Sequence, residues 1–168
     1  MLSVITHGNL FVVGKQEAGD INALKGKKIG VVNLANVPGL TFKAILADKG
    51  IFYTEAADAL TSESVYLVNI AGTELAARLS AEGAAALDFV VAPEPAVSTI
   101  TGKVPAIKVR LSLQALWGEG GYPQAVLLAK TALTQDKDFV NALLDALPAS
   151  AEWLHSTASD AAAAVNSH

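Results

Sequence analysis

The sequence predicts an α/β fold, a three-layer αβα lobe around a mainly parallel sheet. Short apolar runs of β-favouring residues recur along the chain, at Ile29-Gly30-Val31-Val32, Val65-Tyr66-Leu67-Val68 and Leu87-Asp88-Phe89-Val90-Val91. Helical patterns lie between them, with connections of the length that an α/β crossover requires. The chain has 168 residues, 52% hydrophobic and 17% charged, which is enough for one packed core and too apolar for a disordered segment.

Leu2 to Gly14 reads as extended chain, with the β-favouring run Asn9-Leu10-Phe11-Val12-Val13 ending at Gly14. Lys15 to Asp20 is a polar connector. Ile29 to Val32 then has the character of a strand buried on both faces. Asn36 is placed to cap a helix with Pro38 in its first turn, and the pattern runs from Val37 to Lys49, stopped by Gly50. Leu40, Ala44, Ile45 and Leu46 supply its apolar stripe. A short helix is expected around Glu55 to Leu60, a strand at Val65 to Val68, and a helix over Gly72 to Gly83 capped by Thr73, with Leu75, Ala76 and Leu79 on one face.

The strand Leu87 to Val91 ends at Pro93-Glu94-Pro95, where two prolines forbid ladder pairing. One or two helical turns are expected over Ala96 to Thr101, extended chain at Ala106 to Leu111, and a short helix at Leu113 to Trp117. Gly118-Glu119-Gly120-Gly121 is an open loop. Pro123 to Lys130 is a further β-favouring run. Asp138 to Leu147 has Phe139, Ala142, Leu143 and Ala146 on one face and is expected to end or kink at Pro148, with helix resuming over Ala149 to His155 and a last turn or two over Ser159 to Val165.

Composition excludes several functions. Lys+Arg 12 against Asp+Glu 16 leaves no basic excess for a nucleic-acid surface. The most apolar stretches, Asn9 to Gly14 and Ala125 to Ala129, are far shorter than the ~18 residues of a membrane span. With Cys 0, there are no disulfides, thiolate metal sites or cysteine nucleophiles. His7, His155 and His168 lack metal-ligand spacing, and no nucleophile sits beside a base, so no cofactor and no catalysis are expected. Met1 to Thr6 shows no charged and apolar leader pattern, and the chain reads as beginning in mid-fold.

The candidate site is the helix N-terminus after Val32. Unpaired backbone N–H groups near Val37 to Leu40 and the positive helix end favour a carboxylate, sulfonate or phosphate, with Asn33 and Asn36 adding amide side chains. The alternative is that Asn36 merely caps the helix. The loop has no glycine-rich phosphate fingerprint, which argues against a nucleotide. Glu94 follows a strand at the edge where open α/β sheets place ligands, either as a ligand acceptor or as a solvated turn carboxylate. Trp117 and Tyr122 flank the glycine loop and serve either as aromatic walls of a cleft or as core. Trp153 reads as core, and Arg78 and Arg110 alone make no cluster for a multiply charged oxyanion.

Three stretches resemble the extracytoplasmic solute-binding proteins of ABC importers, in the type II periplasmic-binding fold and its branch of nitrate, sulfonate and thiamine-precursor binders. They are Leu24-Lys25-Gly26-Lys27-Lys28-Ile29-Gly30-Val31 followed by Val37-Pro38-Gly39-Leu40-Thr41; Leu87-Asp88-Phe89-Val90-Val91-Ala92-Pro93-Glu94-Pro95; and Gly121-Tyr122-Pro123-Gln124-Ala125-Val126-Leu127-Leu128-Ala129-Lys130. The resemblance spans Asn9 to about His155. It implies that residues 1–25 are a hinge strand and connector, 26–105 the second ligand-binding lobe, and 106–168 a return strand and C-terminal helices belonging to the hinge and partner lobe. The family's N-terminal lobe has no counterpart here.

The resemblance further implies non-catalytic binding of a small anionic or zwitterionic molecule, docking to importer membrane subunits, and an extracytoplasmic location. Thr6, His7 and Asn9 resemble the crossing strand that lines the family cleft. An exposed cleft face and unpaired strand edges favour a homo-oligomer. The rival readings are an enzyme on the same two-lobe fold, of dehydratase or thiamine-pyrimidine synthase type, and the effector-binding domain of a regulator.

Overall fold

The computed structural model describes residues 1–157, 160, 162 and 163. The chain divides into two compact units, one of His7–Gln124 and one of Met1–Thr6 with Ala125–His168. The larger unit is a mixed α/β layer structure with a mostly parallel central sheet, the fold class expected from the sequence. The last turns expected over Ser159 to Val165 fall for the most part outside the described residues.

Chain order gives β1 (Ser3–His7), β2 (Leu10–Gly14), β3 (Lys28–Val32), α1 (Val37–Asp48), β4 (Phe52–Thr54), β5 (Ser64–Ile70), α2 (Leu75–Ser80), β6 (Phe89–Pro93), α3 (Ala96–Lys103), β7 (Lys108–Ser112), α4 (Leu113–Trp117), β8 (Pro123–Leu127) and α5 (Lys137–Ser156). The six-stranded sheet of the larger unit has the order β4-β5-β3-β6-β2-β7. β3 runs parallel to β5 and β6, and β4 parallel to β5; β2 is antiparallel to both β6 and β7. Five strands therefore share one direction and β2 opposes them.

Period-two alternation delivers each strand to two cores. Leu10, Val12, Ile29, Val31, Val65, Leu67, Phe89 and Val91 pack on one face with Phe42, Ile45 and Leu46 of α1 and Leu113 of α4. Val13, Val32, Ile70, Val90 and Ala92 pack on the other with Leu75 and Leu79 of α2 and Val97 and Ile100 of α3. Both faces are covered, so these strands read as continuous apolar runs without a polar side.

Helix boundaries show local chemistry at work. α1 starts after Asn36 with Pro38 in its first turn and gives way to Gly50 at φ 67. The helix expected over Gly72 to Gly83 is a 3-10 turn over Gly72–Glu74 followed by the short α2. Its start signal is Glu74, whose carboxylate accepts the Ala71 N–H at 2.8 Å, and not Thr73. The segment around Glu55 to Leu60 condenses to a 3-10 turn over Ala57–Ala59.

In the smaller unit, β1 and β8 pair into a two-stranded ribbon, with Leu2 N–H donating to Leu127 C=O at 2.8 Å. α5 begins where Asp136 accepts the Phe139 N–H at 3.0 Å, and it runs on through Pro148 without ending there. Pro148 is exposed. α5 buries no residue: Phe139, Trp153 and Leu154 remain about half exposed, so Trp153 is not core here.

Candidate functional site

The topology singles out one crevice. From β3 the chain leaves through α1 to β4 and β5 on one side; from β5 it returns through α2 to β6 on the other side of β3. Neighbouring parallel strands whose crossovers depart in opposite directions leave an opening at their carboxyl ends, the topological switch point of an open α/β sheet. Asn33 follows β3 at this edge and Glu94 follows β6. β2 enters from the same edge, because Leu10 pairs with Pro93 and the Glu94 N–H donates to the Asn9 C=O at 3.2 Å. With strands about 4.8 Å apart, Asn33, Glu94 and Asn9 span about 10 Å.

The backbone here is specialised. Asn33 has φ 59 and Asn9 φ 98, left-handed values that asparagine tolerates better than other side chains. The Asn33 C=O accepts the Asn36 N–H at 3.0 Å, and the Asn69 Oδ1 accepts the Leu34 N–H at 2.8 Å, pinning the loop between β3 and α1. The Leu34 carbonyl lies so close to Gly39 that a Cβ there would sit 1.7 Å from it.

At the start of α1, Asn36 makes no side-chain capping bond, although its C=O accepts the Leu40 N–H at 2.9 Å. Pro38 has no N–H, and Val37 is exposed. The exposed amides of Asn9, Asn33 and Asn36 have no side-chain hydrogen bond to protein among the described residues. The edge thus offers amide donors and acceptors and the positive end of a twelve-residue helix.

Glu94 uses both carboxylate oxygens on Ser98, accepting its N–H and its hydroxyl at 3.0 Å each. That geometry caps α3. The two remaining lone-pair directions are free for a ligand donor. Thr6 and His7 end β1 with exposed side chains, and the Gly8 N–H at φ 71 donates to the Tyr122 C=O at 3.1 Å.

The two aromatics take different places. Tyr122 is 2% exposed, and its hydroxyl accepts the Leu10 N–H at 3.2 Å. Burial pushes its pKa up to about 12, against the smaller lowering effect of that hydrogen bond. Trp117 is 45% exposed and meets Tyr122 edge-on, with centroids 5.6 Å apart. It lines a cleft with Ala44, Ile45, Asp48 and Leu116. Ala44 and Asp48 lie about 10 to 16 Å along α1 from Val37, so this cleft is separate from the switch point.

Sequence reading overlooked Asn69 and Gln114. Gln114 Oε1 is buried without a partner among the described residues. A Cβ on Gly8 would lie 2.1 Å from that oxygen, and one on Gly121 1.3 Å from Gln114 Nε2. The two glycines make room for Gln114 beside the entry to β2; an isolated glycine next to a strand is a signal of such close approach. Among the described residues, no group of three or more His, Asp or Glu side chains is arranged to hold a metal ion.

No protein-family model matches the chain, and no curated protein matches it significantly. The solved structures that match the chain include two substrate-binding proteins. One is described as the second substrate binding domain of an amino acid ABC transporter from Streptococcus pneumoniae, at 19% identity and TM-score 0.48, covering 89% of this chain and 59% of that one. The other is an ABC transporter periplasmic substrate-binding protein from Coxiella burnetii, at 14% identity and TM-score 0.42, covering 71% of this chain and 47% of that one. The chain therefore spans less than two thirds of the length of either.

Proposed function

We propose that this chain is a non-catalytic small-molecule binding lobe, acting within the substrate-binding component of an ABC importer. The observation that carries the reading is the switch-point edge, where Asn9, Asn33, Asn36 and the start of α1 gather unspent hydrogen-bonding groups around one crevice. A positive helix end with amide side chains and one carboxylate suits a ligand carrying an acid group and a nearby donor, such as a zwitterion. The three stretches that resemble solute-binding proteins fall on β3–α1, on β6 with its following turn, and on β8 with its approach. The first two of these stretches hold the strand ends that build the edge.

In this reading β1 and β8 are the hinge strands, since the chain passes between its two units at Thr6–His7 and at Gln124–Ala125. Ligand capture shifts a population toward a closed form that membrane subunits recognise outside the cytoplasm. The apolar face of α5 supports association with further protein, which includes a second copy.

Thermal unfolding in the presence of amino acids, carboxylates, sulfonates and phosphates tests the reading. A ligand at one hundred times its Kd stabilises by about 2.7 kcal/mol, which raises the Tm of a chain this size by roughly 5–10 °C. Stabilisation by one chemical class, weakened by Asn33→Ala, supports the proposal. Turnover of a stabilising compound would replace it with the enzyme reading.

A further inference from the structure

We infer a second ligand site, for a small organic cation, in the cleft between α1 and α4. The cleft encloses about 260 Å³ and is lined by Ala44, Ile45 and Asp48 from α1 and Leu116 and Trp117 from α4. Three independent features there favour positive charge. Trp117 keeps 45% of its surface exposed while its ring meets Tyr122 edge-on at an interplanar angle of 60°, which leaves indole surface available to solvent. An indole face attracts a cation through its quadrupole more strongly than the ring of Tyr or Phe does. Asp48 adds a carboxylate to the same wall, and it is the last residue of α1, where the helix dipole is negative.

The competing cation is weak. Lys49 Nζ lies 2.9 Å from Asp48 Oδ2, with the two side chains 40% and 69% exposed. Such an exposed pair between sequence neighbours contributes little and yields readily to a ligand. The apolar remainder, Ala44, Ile45 and Leu116, suits the methyl or methylene groups around an ammonium nitrogen and disfavours a bare metal ion, which would need several oxygen ligands. The site is thus built for an alkylammonium with an apolar body, and it stands apart from the acid-favouring switch-point edge.

The probe is choline, compared with 3,3-dimethyl-1-butanol, which has the same shape without the charge. Tryptophan fluorescence is read in a Trp153→Phe background, so that Trp117 is the only indole. The expected result is a saturable change with choline at a Kd of order 1 mM, at least fivefold weaker binding of the neutral alcohol, and a three- to tenfold loss of choline affinity in Asp48→Asn. Asp48 is at the surface, so that variant folds; amide NMR shifts at Ala44 and Ile45 give a readout independent of the indole. Equal binding of the alcohol, unchanged affinity in Asp48→Asn, or no saturation by 100 mM choline overturns the inference.

Discussion

Replacing Gly39 by alanine sets two physical effects against each other within α1. Helix propensity alone favours alanine over glycine by about 1 kcal/mol. Packing opposes it, because the added Cβ would lie 1.7 Å from the Leu34 carbonyl oxygen, 2.4 Å from its carbon and 2.6 Å from its Cα. All three are backbone atoms in a loop held by the Asn69 side chain, so no rotamer change relieves the overlap. Overpacking of this kind costs typically 1–3 kcal/mol, with rigid neighbours at the upper end. The net expected loss is about 2 kcal/mol, a Tm fall of roughly 4–8 °C for a chain of this length. Gly102→Ala in α3 is the matched control, since its Cβ meets nothing within 4 Å. That variant is expected to raise the Tm by about 2–4 °C. Thermal and urea unfolding followed by circular dichroism reads both. A Gly39→Ala protein as stable as, or more stable than, the parent would refute the close packing of Leu34 on α1 and with it the described start of the helix.

Other consequences are as direct. Tyr122 holds its proton to about pH 12 in the fold against an ordinary value of 10.0, so the unfolded chain loses that proton first as pH rises. The associated stability is fully present below pH 10 and disappears between about pH 10 and 12; Tyr122→Phe removes this part of the alkaline slope in urea titrations and costs about 1–3 kcal/mol at neutral pH by leaving the Leu10 N–H unpaired. Glu94→Ala removes the cap on α3 and is expected to cost about 1 kcal/mol in unfolding experiments even without ligand. Asn33→Val forces a β-branched residue to φ 59 and costs about 1–2 kcal/mol, whereas Asn33→Gly is tolerated; equal stability of the two would contradict the left-handed backbone. The apolar face of α5 predicts concentration-dependent association in sedimentation, shifted toward monomer by Leu143→Glu.

The parallel half of the sheet was legible because buried strands such as Ile29 to Val32 and Phe89 to Val91 carry apolar residues on both faces, and because Asn36, Pro38 and Gly50 punctuate α1. The short β4 and the 3-10 turns were not, since Phe52–Thr54 has exposed phenyl and phenol rings and gains strand geometry only from pairing with β5. At Pro148 the sequence allows an end or a kink, and α5 does not end there: helix lies on both sides of this exposed proline, as the expected resumption over Ala149 to His155 requires. Asn33, Asn36 and Glu94 stand out in the sequence because they follow buried strands. Asn69 and Gln114 were invisible because the first acts on a partner 35 residues away and the second fits between Gly121 and the distant Gly8. Trp117 and Tyr122 are close in sequence, yet burial separates a solvent-facing indole from a core phenol.

Amide NMR of the labelled chain during titration with a stabilising carboxylate that carries no ammonium group separates a ligand held at the switch point from one held elsewhere. The expected result is saturable shifts concentrated at Asn9, Asn33, Asn36, Val37 and Glu94, with the amides of β4 and of the α1–α4 cleft unmoved. Saturable binding that shifts residues elsewhere and leaves the carboxyl ends of β3 and β6 untouched would contradict it.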